Sequence, residues 1–194
     1  MVFNKGRQIN MKLHLGCGKK YIKGFKHVDL QNFDHIDYKT SVDNLNFAED
    51  NSIELIYSAH VLEHFGRNEY KNVLQEWFRV LEPNGVLRLS VPNFEAIVQY
   101  YTKKNDNLDI LLGLLVGGQK VGQYDYHKMI FDKNLLTNVL QEIGFVNVRK
   151  YDWENTSHYY VDDFSQAYLP HMDKTNGMLM SLNIEATKPL IKSD

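Results

Sequence analysis

Cysteine is nearly missing from this chain. The single thiol, Cys17, has no partner for an internal disulfide, and no Cys/His spacing resembles a zinc site. An excess of one charge is missing too. Lys and Arg number 22 against 24 Asp and Glu, a formal net charge of -2, which leaves no electrostatic case for nucleic acid or an anionic membrane as partner. Long apolar runs do not occur. The stretch from Ile110 to Val116 is far too short to span a bilayer, and it reads as a core helix, with an intersubunit patch as the other use. The opening MVFNKGRQIN lacks the apolar centre of a signal peptide, so a cytoplasmic location is the expectation. No repeat or low-complexity tract appears. What is present is ordinary globular sequence: 194 residues, 43% of them apolar, suit one domain that buries a central sheet.

Strand and helix signals alternate, which predicts a mostly parallel sheet with helices on its faces. Leu13 and Leu15 mark a first strand, Val28 and Leu30 a second, and Leu55 to Tyr57 and Val86 to Val91 two central ones. Asn68 is placed to cap a helix carrying Tyr70, Val73, Leu74, Trp77 and Leu81 on one face. Pro83-Asn84-Gly85 then turns the chain back to the sheet. Asp132 caps a helix ended by Gly144, and a strand over Phe145 to Tyr151 follows. Met180, Leu182, Ile184 and Ala186 alternate with Ser181, Asn183, Glu185 and Thr187, the pattern of a half-exposed, antiparallel strand. Two long segments, 94–131 and 152–178, exceed what such a scaffold needs; the second has a short helix near Phe164. They are the natural places for a substrate.

The most informative stretch is KLHLGCGKKYIKGFKHVDL, Lys12 to Leu30. A strand runs into Gly16-Cys17-Gly18, and a second strand ends at Asp29. Bare backbone at one strand tip and a carboxylate at the next suit a nucleoside, which needs room for its bulk and an acceptor for its ribose hydroxyls. A dinucleotide fold would want a third glycine at position 21, which is Tyr, and an acidic residue about 20 residues on. Asp29 follows Gly18 by only 11 residues.

The same residues resemble the first two motifs of class I S-adenosylmethionine-dependent methyltransferases, in particular the type 11 group acting on small molecules. LHLGCG is similar to the glycine-rich motif and HVDL to the acidic motif of the second strand. VDNLNFAEDNSIELIYSAHVLEHF and EWFRVLEPNGVLRLSVPN resemble the next two blocks, and FDKNLLTNVLQEIGF a later helix. The resemblance implies an α/β, Rossmann-like, mostly parallel seven-stranded sheet with an antiparallel C-terminal strand, helices on both faces, and a single domain over 1–194. It implies S-adenosyl-L-methionine as cofactor. Gly16, Cys17 and Gly18 would approach its methionine and ribose, and Asp29, with Leu30 beside it, the ribose hydroxyls. Asp43, Asn44 and Leu45 would lie beside adenine, and Ser58, Ala59 and His60 would line the floor. Two departures stand out: His14 occupies a position where many members carry Asp or Glu, and the short Gly18–Asp29 connection implies a truncated first helix, leaving that flank to Lys20 and Tyr21.

Displacing a methyl group from a sulfonium needs alignment, and a base only if the nucleophile must lose a proton. His60, His64, Asp125, His127 and His158 are the candidates for base or anchor. His127, in YDYHKMIF at the end of the first long segment, and His64 are the catalytic candidates, since imidazole titrates near neutrality. Cys17 reads as a packing residue. No metal site is assigned: His60, Glu63 and His64 do not follow the HExxH order, and no third ligand is evident in sequence. The expected activity is methylation of a small polar metabolite, a hydroxyl of a sugar or glycan precursor being the leading form, by a monomer or homodimer with neither a nucleic-acid partner nor stable membrane insertion. A catalytically inactive cofactor-binding protein on the same fold is the alternative, and an NAD or nucleotide-sugar enzyme the third reading.

Overall fold

The computed structural model describes residues 11–104, 107–120 and 122–190. The opening MVFNKGRQIN, read above for a leader, lies outside them.

Leucines 13 and 15 of β1 (Met11–Leu15) and Val28 of β2 (Lys26–Asp29) are fully buried, so these short strands find a stable place only inside a covered sheet. With β3 (Tyr38–Lys39), β4 (Ile53–Ala59), β5 (Leu81–Pro92), β6 (Val146–Lys150) and β9 (Ser181–Thr187) they form one seven-stranded sheet, ordered β3-β2-β1-β4-β5-β9-β6. β1 pairs in parallel with β2 and β4, and β4 with β5; β9 runs antiparallel between β5 and β6. The strand order reverses between β1 and β4. The crevice at their carboxyl ends is therefore the switch point at which such sheets bind ligands.

Helix α1 (Tyr70–Val80) puts Val73, Leu74, Trp77 and Val80 into the main core. Helix α4 (Lys133–Ile143) adds Leu136, Val139 and Leu140 on the same face of the sheet. Asp132 caps α4 by accepting from the Leu135 N–H, and Gly144 ends it at φ 117°, as the pattern predicts. Asn68 does not cap α1. That helix starts one residue after Glu69, whose carboxylate instead folds back to the Gly66 N–H at 2.7 Å. Pro83-Asn84-Gly85 is not a free turn but a bulge within β5. Ile53 pairs with Leu81 and Leu55 with Val86, so three extra residues loop out, with Asn84 at φ 65°.

The opposite face of the sheet carries a second cluster, Ile22, Phe25, Leu55, Tyr57 and Val161, in which the covering residues come from irregular chain. No helix forms between β1 and β2, in line with their short connection. The segment 94–131 supplies α2 (Phe94–Lys104) and α3 (Asp109–Val116). In α3 only Leu111 is fully buried. Ile110, Leu112 and Val116 are about 40% exposed, so α3 is not the core helix its composition predicts. It packs over the rim of the crevice instead. The 152–178 segment holds two 3-10 turns, Trp153–Asn155 and Phe164–Gln166, and a two-stranded sheet of β7 (Tyr168–Leu169) with β8 (Met178–Leu179). This segment corrects one expectation. β9 is antiparallel, but its polar residues Ser181 and Asn183 are buried, because the segment lies across them: Asn183 Nδ2 donates to the Ser165 carbonyl and Ser181 Oγ to that of Phe164. No helix among the described residues is long and apolar enough to cross a membrane.

Candidate functional site

The site grows from the ends of β1, β2 and β4. Gly16 and Gly18 sit at φ 62° and 52°, where side chains are disfavoured. Their surroundings differ. A Cβ on Gly16 would stand 2.3 Å from Val61 Cγ2, so this glycine is needed for packing; one on Gly18 would meet nothing within 4 Å. Gly18 therefore faces open space. Asp29, largely buried, accepts from the Gly18 N–H at 2.8 Å through Oδ2 and from the Gln31 N–H at 2.8 Å through Oδ1. Each carboxylate oxygen keeps a further acceptor direction.

From this loop a cavity of about 810 Å³ runs beneath α3 and the 162–172 segment. Gly16 through Lys20, Ala59 and His60 line it, together with His64, Asp125 and His127 and with Ile110 and Leu114 of α3. The second long segment contributes Asp162, Asp163, Gln166, Tyr168 and His171, none of which the sequence singled out, although the polar face of β9 implied some cover for it. Tyr21 is not part of this wall. It lies exposed and stacks on His27, with ring centroids 4.9 Å apart.

Other sequence candidates fall elsewhere. Ser58 is buried in the sheet, its hydroxyl donating to the Leu15 carbonyl, so it does not reach the cavity. Leu45 points into the main core and its N–H is taken by Glu76 Oε1 at 2.8 Å, which leaves it nothing to offer adenine. Asp43, Asn44 and Leu30 are exposed near the strand tips, outside the cavity wall. Helix α1 fixes this 42–50 loop: Trp77 Nε1 donates to the Val42 carbonyl, and Arg79 bridges Glu76 and Asp50. His158 is a buried packing group. It lies against the Tyr57 ring, 4.1 Å between centroids, with Thr156 Oγ1 and Arg88 at its nitrogens.

Burial sets the charge states. His14, at the base of the cavity, is pushed down to about 3 by loss of water and then by His27, His158 and His35; its Nδ1 has no partner. A neutral imidazole thus stands where a carboxylate would otherwise be. The Cys17 thiol is pushed up to about 12, first by burial and then by Asp29, which keeps it from acting as a nucleophile. Glu63, fully buried in the 3-10 turn Leu62–His64, is raised to about 8 by burial, and burial lowers His60 to about 3. His127 is lowered by the same cause. The tertiary fold also supplies what spacing alone did not show: Glu63, His64 and His127 each bring a potential ligand atom within 4.8 Å of the others.

Residues 24–89, from just before β2 into β5, match the family model described as a methyltransferase domain. That match spans about a third of the chain, which over this stretch is similar to methyltransferase domains. Solved structures share its fold. A SAM-dependent methyltransferase from Archaeoglobus fulgidus aligns with 92% of this chain and 86% of its own at TM-score 0.54 and 14% identity. One from Thermotoga maritima covers 92% and 81% at TM-score 0.55 and 15% identity. The 1,6-didemethyltoxoflavin-N1-methyltransferase of Burkholderia thailandensis, solved with its acceptor and S-adenosylhomocysteine, covers 93% and 71% at TM-score 0.53 and 13% identity. No curated protein matches the sequence. S-adenosylmethionine is the cofactor those solved structures are described with, and the open face of Gly18 beside the Asp29 carboxylate fits the group. Identities this low carry the fold across and leave the acceptor to be argued from the cavity.

Proposed function

We propose that this chain is a class I S-adenosylmethionine-dependent methyltransferase and that it transfers the methyl group to a hydroxyl of a small polar acceptor, a sugar or glycan precursor being the leading form. The observation that carries this reading is one cavity lined both by Gly16 to Gly18 and by His64 and His127. Its volume suits a nucleoside cofactor plus a small acceptor, and its carboxylates, imidazoles, amide and phenol match a polyol better than an apolar molecule.

In this reading Gly16, Cys17 and Gly18 bound the cofactor's methionine and ribose, Asp29 accepts from the ribose hydroxyls, and Ala59 and His60 form the floor. Asp43 and Asn44, outside the cavity wall, are left to the solvent-exposed edge of the adenine. When bound, the cofactor supplies a methyl group on positively charged sulfur, which an oxygen lone pair displaces in line; the C–S bond breaks as the C–O bond forms. The chain's own part is placement and the proton. His127 donates its Nδ1–H to the Leu114 carbonyl at 3.0 Å, so Nε2 carries the lone pair able to take a hydroxyl proton. His64 is held the same way by the Tyr126 carbonyl at 3.0 Å. α3, half-exposed above the cavity, limits water around the reacting atoms.

Two measurements test this. Calorimetry with S-adenosylhomocysteine checks cofactor binding. Labelled S-adenosylmethionine is then offered with sugars, sugar nucleotides, amines and phenols. Label on a sugar oxygen is the expected result; label confined to nitrogen or carbon acceptors overturns the hydroxyl assignment. Tight cofactor binding with no transfer to any acceptor, including cell extract, selects the inactive binding protein.

A further inference from the structure

We propose that Glu63, His64 and His127 form a divalent-cation site in the acceptor wall of the cavity. The observation is a cluster of acceptors with no hydrogen among them. Glu63 is fully buried and neither carboxylate oxygen has a hydrogen-bond partner. Hydrogen bonding on the far side of each imidazole settles which nitrogen carries its proton. His127 and His64 give their Nδ1–H to the Leu114 and Tyr126 carbonyls, so both present a lone pair at Nε2. Nε2 of His127 lies 3.9 Å from Glu63 Oε1. His60 completes the pattern. The Ser181 hydroxyl donates to the Phe164 carbonyl, so it must accept from His60 Nε2, 2.8 Å away. The Nδ1 lone pair of His60 then faces Glu63 Oε1 at 3.5 Å.

Lone pairs of His127 and His60 thus both face Glu63 Oε1, and His64 brings a further ligand atom within 4.8 Å of those of Glu63 and His127. A single proton on Glu63 would satisfy one such pair and leave the others opposed. A dication would satisfy them together. Imidazoles whose remote N–H is fixed by a carbonyl are the usual preparation for metal ligation. The donor set of two nitrogens and one carboxylate suits ions of the zinc, iron(II) or manganese(II) kind. Bond lengths of about 2.0–2.2 Å put neighbouring donors roughly 3–3.5 Å apart, so small side-chain rotations close the present spacing. Glu63 lies behind, while His64 and His127 border the cavity, as does Asp125. An ion there keeps open positions toward the cavity, the arrangement of a catalytic rather than a structural metal.

The site itself stands on this geometry. Its role rests on the reading above: the ion would grip the acceptor hydroxyl and lower its pKa, releasing the proton to water and relieving imidazole of that duty.

The test uses full-length protein stripped with chelator and titrated with Co2+ and Zn2+. Expected are one ion per chain and a visible Co2+ ligand-field spectrum. Glu63→Gln and His127→Ala should each weaken binding at least about 100-fold, more than loss of an outer hydrogen-bond partner costs, while both variants still melt cooperatively. His127→Asn serves if the alanine variant does not fold. The proposal is overturned if no stoichiometric ion binds, or if affinity and spectrum survive these substitutions, as they would for ions held by surface carboxylates. S-adenosylhomocysteine binding by the stripped protein separates the two claims. Cofactor binding without metal binding removes the metal site alone, and metal binding without cofactor binding removes the methyltransferase reading alone.

Discussion

Asp29 Oδ2 lies 2.8 Å from the Gly18 nitrogen, so the tip of β2 holds the loop that leaves β1. The carboxylate proposed to recognise the ribose therefore also positions the glycine loop. Asp29→Ala removes the acceptor for two backbone N–H groups. Hydrogen bonds to a charged group are worth about 1.5–3 kcal/mol, so affinity for S-adenosylhomocysteine should fall about 10- to 100-fold by calorimetry. Unchanged affinity would remove Asp29 from the cofactor site.

The two loop glycines separate packing from binding. Gly16→Ala drives a methyl into Val61 at positive φ and should lower unfolding free energy by about 1–3 kcal/mol in urea titrations. Gly18→Ala meets no protein atom, so its backbone cost is about 1–2 kcal/mol. In the proposed site its methyl would occupy cofactor space, so binding should suffer more than stability. A Gly18→Ala protein that binds S-adenosylhomocysteine like the parent would show the cofactor lying elsewhere.

Glu76 ties α1 to the loop carrying Asp43 and Asn44. Its hydrogen bonds with Arg79 hold its carboxyl below the usual 4.5, despite partial burial acting the other way. Because the folded pKa is the lower one, this stabilisation is complete above 4.5 and is lost as pH falls through the folded value. Glu76→Gln should cost about 1 kcal/mol near neutral pH and much less at about pH 3. Urea midpoints at both pH values check this; an equal loss at each would assign the effect to packing.

His14 and His158 make the fold acid-sensitive in a higher window. Burial lowers them from 6.5 to about 3 and about 4. Below 6.5 the unfolded chain binds protons that the folded one refuses, so stability declines from there until those folded values are reached. The slope is up to about 1.4 kcal/mol per pH unit for each histidine. His14→Gln should flatten the fall in melting temperature between about pH 6.5 and 4.5. The same slope in that variant would shift the cause to other groups.

Elements carried by local pattern were legible in the chain. The buried Leu13 and Leu15 strand, the Asp132 cap with its Gly144 stop, and the antiparallel β9 all follow from periodicity and cap chemistry, which act over a few residues. Misreadings arose where a distant segment intervened. Ser181 and Asn183 read as solvent-facing until residues 164–165 lay across them, and the Pro83-Asn84-Gly85 turn became a bulge because β4 pairs on both sides of it. Asn68 does not cap α1, which starts after Glu69 without a side-chain cap, a boundary that spacing does not resolve. The apolar α3 read as core because composition reports hydrophobicity and not which face is covered.

By itself the amino-acid order determined the sheet class and the glycine–aspartate pair at its carboxyl edge, since strand propensity, turn residues and an 11-residue spacing are properties of contiguous chain. Only the tertiary structure decided the histidine-lined wall of the cavity. His127 reaches Glu63 and His64 from more than 60 positions away because Glu63's carbonyl binds the Lys128 and Met129 N–H groups, drawing the end of the first long segment onto the turn after β4. Contacts of that range are set by how elements pack, and no local rule announces them.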